Sequence, residues 1–270
     1  MDYLSKKEII LLLEQYDARP LKKMGQNFLI DKNIIDKIIS LVEPDDIVVE
    51  VGPGLGSITL GLEKKVKELI CIEKDKKMVE ILEKKIFPNN SKIKIIKGDI
   101  LKEEIKIKKK YKVVANVPFY ITSPIIRRFL EEKNPPEEMI LLIQKEVAKR
   151  ICSKPPEMNI LALSVQFYAD PKIIFPISRN SFWPLPNVDS AIINIKKTDR
   201  KYDVDPILFF KVLRSGFSRP RAQLLNNISN GLKLSREETK KLLLESNVNP
   251  IRRAETLSLE EWIIISKHYA

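Results

Sequence analysis

Through residue 151, short apolar runs alternate with segments whose apolar positions recur every three or four residues. The runs centre on 48–51, 68–72, 93–97, 111–115 and 139–144 and are rich in Val and Ile. Runs this short and this branched predict strands, and near-continuous apolarity predicts burial on both faces, as in a parallel sheet. Between them the spacing predicts helices over 32–42, capped by Asp31, after the glycines at 57–63, over 75–86, from Thr122-Ser123-Pro124 onward, and over 145–151. A short amphipathic helix precedes them at 5–16. Further on, 161–168 and 190–195 predict two late strands around a proline-rich loop, 182–189. From about Arg200 the period is helical only, with candidates at 206–216, 220–229, 235–245 and 257–269. The alternation predicts an α/β, Rossmann-like domain over 1–198. The change of pattern predicts a small all-helical domain over 199–270.

Composition narrows the chemistry. The 270 residues carry a formal net charge of +12, which favours a polyanionic partner such as nucleic acid. The plainer source of that charge is a general excess of lysine. The only histidine is His268, so histidine triads and multi-histidine metal sites are excluded. Cys71 and Cys152 are too few for a disulfide framework or a cysteine metal site. No apolar run has the roughly 18 residues of a membrane span, and the N-terminal pattern is not that of a signal peptide. A cytoplasmic protein with no metal and no membrane partner is expected.

The chemistry centres on Glu50-Val51-Gly52-Pro53-Gly54-Leu55-Gly56, between the first predicted strand of the sheet and a helix. Strand, glycine turn and helix bring bare backbone close to a nucleotide-like ligand. Dinucleotide binders space their glycines as G-x-G-x-x-G, which Gly56 and Ser57 do not match. Pro53 also removes an N–H that a pyrophosphate would use. The pattern suits S-adenosylmethionine, which has no phosphates, and so a sheet of the class I methyltransferase type. Glu73, at the end of the second strand, is placed to accept from both ribose hydroxyls. Asp99, beyond the third, is placed to accept from an adenine amine.

Asn116-Val117-Pro118-Phe119 follows the fourth strand and points to the acceptor. An exocyclic aromatic amine is a poor nucleophile because its lone pair is delocalised. The Asn116 amide oxygen and the Pro118 carbonyl can each accept one N–H. That favours a pyramidal nitrogen aimed at the methyl group. Phe119 offers a flat surface on which an unstacked base can rest. Asn116, Pro118 and Phe119 are the expected catalytic residues.

These motifs, with Gly25-Gln26-Asn27-Phe28-Leu29, the segment from Phe182-Trp183-Pro184 to Asp189-Ser190-Ala191, and Arg253-Ala254-Glu255-Thr256-Leu257-Ser258, resemble the KsgA-type ribosomal RNA adenine dimethyltransferases. The resemblance spans nearly the whole chain. It implies that Asn27, Leu29, Gly52, Glu73, Asp99 and Asn116 contact S-adenosylmethionine, and that Phe119 and Phe182 sandwich the target adenine. It implies dimethylation of two adjacent adenosines in a hairpin loop near the 3′ end of small-subunit rRNA, within an immature subunit. A monomer whose helical domain grips the rRNA is expected. Val117 and Phe119 stand where the family has Leu and Tyr. Pro220, Ala222 and Leu225 stand where it more often has Arg and Lys. Erm-type methyltransferases, which act on large-subunit rRNA and give macrolide resistance, are the alternative. An assembly factor without catalysis and a nicotinamide oxidoreductase fit the motifs less well.

Overall fold

The sheet is built where the apolar runs predict it. The computed structural model describes residues 4–21, 24–88, 92–200, 202–219 and 221–270. In chain order its elements begin α1 (Lys6–Gln15), β1 (Phe28–Leu29), α2 (Lys32–Ser40), β2 (Ile47–Val51), α3 (Thr59–Lys65), β3 (Glu68–Glu73), α4 (Lys76–Ile81) and β4 (Ile93–Lys97). A π-helical turn, Leu82–Ile86, extends α4. Next come β5 (Lys112–Asn116), α5 (Thr122–Leu130), β6 (Glu138–Gln144), α6 (Lys145–Ile151), α7 (Ile160–Gln166), β7 (Ala169–Ile177), β8 (Phe182–Trp183) and β9 (Ser190–Lys197). The chain ends in α8 (Pro206–Gly216), α9 (Leu224–Leu232), α10 (Arg236–Glu245) and α11 (Leu259–Tyr269).

Seven strands form one sheet in the order β4-β3-β2-β5-β6-β9-β7. β4, β3, β2, β5 and β6 run parallel, and β9 returns antiparallel to β6. All five residues of β2 are buried, as a central strand covered on both faces requires. Short polar side chains start the helices where unpaired N–H groups need acceptors. Asp31 accepts from Asn33 and Ile34, and Asp75 from Lys77. Ser235 with Glu238, and Ser258 with Glu261, form reciprocal capping boxes.

The structure corrects the sequence expectation at 161–168. This stretch is helix α7, not a strand, and β7 follows it at Ala169–Ile177. Asn159 caps the helix by accepting the Ala162 N–H at 3.0 Å. A stretch of eight residues, apolar except at Ser164 and Gln166, fits either period, and the Asn cap with Leu and Ala behind it tips this one to helix. The second C-terminal helix was expected from Pro220, which lies outside the described residues. It begins at Leu224.

The chain divides into two compact units, Met1–Ala148 with Pro171–Lys197, and Lys149–Asp170 with Thr198–Ala270. Each has its own core. In the first, Leu29, Ile35, Val48, Leu69 and Met78 are among the buried residues. In the second, Met158, Leu163 and Phe167 bury into the same cluster as Phe209 and Trp262, and Phe167 stacks on Phe209 at 4.4 Å. That packing is why 149–170 groups with the helical unit rather than with the sheet.

Candidate active site

Parallel strands end on one side of the sheet, so the residues at or just beyond the C-terminal ends of β4, β3, β2 and β5 stand side by side. Asp99, Glu73, Gly52 and Asn116 occupy those places and border a single cleft with Asn27 and Leu29. Three inter-strand steps of about 4.8 Å give this row a span of roughly 14 Å. That is the length of a nucleoside joined to an amino acid. The six residues expected to contact a cofactor are therefore brought together.

Gly52 and Gly54 turn with φ of 68° and 58°, values that side-chain-bearing residues rarely adopt. A Cβ on Gly54 would also lie 3.1 Å from the Phe28 ring. The turn is held from the next strand. Glu73 Oε2 accepts the Gly54 N–H at 3.0 Å and Oε1 accepts the Asp75 N–H at 2.8 Å. Burial raises the Glu73 carboxyl above its ordinary pKa, and these backbone donors oppose the rise. Asp99 is more open. Lys74 Nζ meets its Oδ2 at 2.9 Å, and that hydrogen bond holds the carboxyl below its ordinary range.

Glu50 also borders the cleft, a role not assigned from the sequence although the residue opens the glycine motif. It is 2 % exposed, and the Cys71 thiol donates to its Oε2 at 3.6 Å. Burial pushes its carboxyl up to about 7. The native carboxyl keeps its proton to about pH 7, whereas the unfolded one releases it near 4.5. Between those values the native state binds more protons, so stability falls as pH rises, by about 3 kcal/mol in all. Replacing Glu50→Gln is expected to remove that fall. Urea unfolding at pH 5 and pH 8 checks it, the wild type losing roughly 3 kcal/mol more than the variant over that interval.

The wall opposite the glycines is formed by residues 24–29. Gly25, at φ 62°, lets this backbone lie against Pro118, whose Cβ would be 3.3 Å from a side chain there. The Asn116 Nδ2 donates to the Asn27 carbonyl at 2.9 Å. This commits the amide nitrogen and turns Oδ1 into the acceptor available to a ligand. Pro118 borders the cleft, and its carbonyl accepts the Ile121 N–H at 3.1 Å with one lone pair still open.

A model of the ribosomal RNA adenine dimethylase family matches residues 19–269. The chain belongs to that family. A relative from Dehalococcoides mccartyi (strain CBDB1), described as ribosomal RNA small subunit methyltransferase A, is 42% identical over 96% of this chain and 91% of its own. One of the same description from Clostridioides difficile (strain 630) is 38% identical over 94% and 92%. Among solved structures, a dimethyladenosine transferase from Plasmodium falciparum shares the fold with a TM-score of 0.77, at 23% identity, over 88% of this chain and 95% of that one. The 23S rRNA methyltransferase ErmE shares it with a TM-score of 0.72, at 21% identity, over 90% and 99%.

In this adenine dimethylase the two expected base-stacking residues stand apart from the cleft. Phe119 lies half-buried in the turn Phe119–Ile121, and neither it nor Phe182 borders the cavity. Phe182 is 4 % exposed, in β8, which pairs antiparallel with β1 so that Leu29 faces Phe182 and Phe28 faces Trp183. Tyr120, by contrast, is 59 % exposed and does border the cleft. Its place directly after Asn116-Val117-Pro118-Phe119 was the sequence signal for it. Among the described residues no helix is long and apolar enough to cross a membrane.

Proposed function

We propose that this chain uses S-adenosylmethionine to dimethylate the N6 amines of two adjacent adenosines in a hairpin loop near the 3′ end of small-subunit rRNA. The observation that carries the reading is the Asn116 amide. One of its N–H groups is given to the Asn27 carbonyl, which fixes the amide's orientation and leaves its oxygen as the acceptor at the end of the cofactor cleft. The donor set suits this cofactor. Glu73 offers carboxylate lone pairs to the ribose hydroxyls, Asp99 to the adenine amine, and Gly52 leaves the space a Cβ would fill. Asn27 and Leu29 close the remaining wall.

S-adenosylmethionine supplies an electrophilic methyl group. The chain's own residues prepare the acceptor. Asn116 Oδ1 and the Pro118 carbonyl accept hydrogen bonds from the two N–H groups of the amine in the first transfer, and one of them from the remaining N–H in the second. This concentrates the lone pair on nitrogen. After each transfer the nitrogen sheds one proton to solvent. Phe119 and Phe182 hold the base between them. Phe182 reaches a base only by leaving its buried place, so opening of the 182–189 loop on RNA binding belongs to the proposal. The sheet unit, 1–148 with 171–197, carries the chemistry. The helical unit, 149–170 with 198–270, grips the rRNA.

The small-subunit target is supported by the names of relatives at 38% and 42% identity, whereas ErmE shares only the fold at 21%. The substrate is an immature small subunit in the cytoplasm, and the enzyme acts as a monomer. Incubation with labelled S-adenosylmethionine tests the choice. Label is expected in purified immature small subunits and not in protein-free large-subunit rRNA; the reverse pattern selects the Erm-type reading.

A further inference from the structure

The wall formed by residues 24–29 has almost no regular structure, yet it meets both the cofactor cleft and the Asn116 amide. Beyond the Asn116 bond and the pairing of Phe28 and Leu29 with β8, the Gln26 side chain ties it down. Its Nε2 donates to Asp75 Oδ2 at 2.8 Å, and its Oε1 accepts the Leu21 N–H at 2.8 Å. Asp75 is itself immobilised. Its Oδ1 caps α4 by accepting the Lys77 N–H at 2.9 Å, its N–H is held by Glu73, and it is 9 % exposed. One amide thus joins the wall to the N-terminus of α4, two residues beyond Glu73. The bond is charge-assisted and sheltered, which places it among the stronger hydrogen bonds.

We propose that Gln26 is a positioning residue: its amide latches the 24–29 wall to the N-terminus of α4, and so sets both cofactor affinity and the aim of the Asn116 amide. The proposal rests on the S-adenosylmethionine reading above. Glutamine suits the task because it donates to a carboxylate while accepting from the backbone. Glutamate in its place has no donor and sets a second carboxylate against Asp75. When the wall is unlatched, the binding-competent arrangement is a fraction of the population, and the apparent Kd rises by the inverse of that fraction.

Isothermal titration of the full chain with S-adenosylmethionine tests the latch. Gln26→Ala is expected to raise Kd about tenfold, the loss of one such hydrogen bond. Gln26→Glu is expected to raise it further. Asp75→Asn alone also weakens binding, because its one oxygen is needed by Lys77 and its amide N–H then faces the Gln26 N–H. The double variant Gln26→Glu with Asp75→Asn restores every hydrogen bond with the donor reversed, and is expected within about threefold of wild type. Gln26→Ala should raise KM for the cofactor while kcat stays within about threefold, since bound cofactor repopulates the latched wall. Wild-type affinity in Gln26→Ala, or a double variant no better than the worse single one, overturns the latch. Failure of the wild type to bind S-adenosylmethionine is a separate result: it removes the cofactor reading and the latch with it.

Discussion

Asn116→Ala is expected to lower single-turnover methyl transfer by about a thousandfold, while S-adenosylmethionine affinity falls only a few-fold. The asymmetry follows from where the amide acts. In the proposed complex the cofactor spans the whole row from Asp99 to Gly52, so one lost side chain should weaken binding little. The amine nitrogen has few partners, and Asn116 Oδ1 is the side-chain one. Its aim comes from the 2.9 Å bond that its Nδ2 gives the Asn27 carbonyl. Asn116→Asp separates aim from acceptance. It keeps an oxygen for the amine but sets another against the Asn27 carbonyl, so it is expected to recover only part of the lost rate. Rapid-quench methylation with saturating cofactor, beside titration calorimetry of each variant, measures both effects. Equal losses in Kd and rate would mean that Asn116 acts through binding alone.

Trp262→Ala is expected to be the most damaging single change to stability, costing about 4 kcal/mol. Trp262 is fully buried, packs against Phe217 with ring centres 5.6 Å apart in a tilted pair, and abuts the backbone of α8. A Cβ on Gly216 would lie 2.1 Å from its ring, so nothing larger than glycine fits beneath it. Truncation empties the centre of the helical unit. Because the two units have separate cores, the helical one should unfold at lower urea while S-adenosylmethionine binding stays within about twofold of wild type. If the helical unit grips the rRNA as proposed, methylation of immature small subunits should be lost with it. Trp262→Phe keeps most of the ring volume and should cost about a third as much. Cofactor binding that disappears along with the helical transition would contradict this division of labour.

Much of the site was legible because its signals are local. Glycines at fixed spacing after an apolar strand, and carboxylates at or just past the ends of the next two strands, are set by chain direction alone. Parallel pairing then brings them together. What escaped was non-local. Gln26 and Asp75 are 49 residues apart, and nothing in either neighbourhood names the other. β1 and β8 have two residues each, too few for any period, and their pairing is secured by bonds such as Ser181 Oγ to Asp31 Oδ2 across 150 residues. The burial of Phe182 depends on that pairing, so a motif that suggested an exposed stacking residue could not show it packed inside. The stretch 161–168 reads as a strand as easily as a helix because its six apolar residues, with Ser164 and Gln166 between them, satisfy both periods.

The most direct test of the central claim is mass spectrometry of small-subunit rRNA from cells lacking this protein, complemented with the wild type or with Asn116→Ala. The account predicts two adjacent N6,N6-dimethyladenosines near the 3′ end with the wild-type copy, and unmodified adenosines without it or with the variant. Dimethylation that persists in the deletion strain, or that Asn116→Ala restores in full, would contradict it.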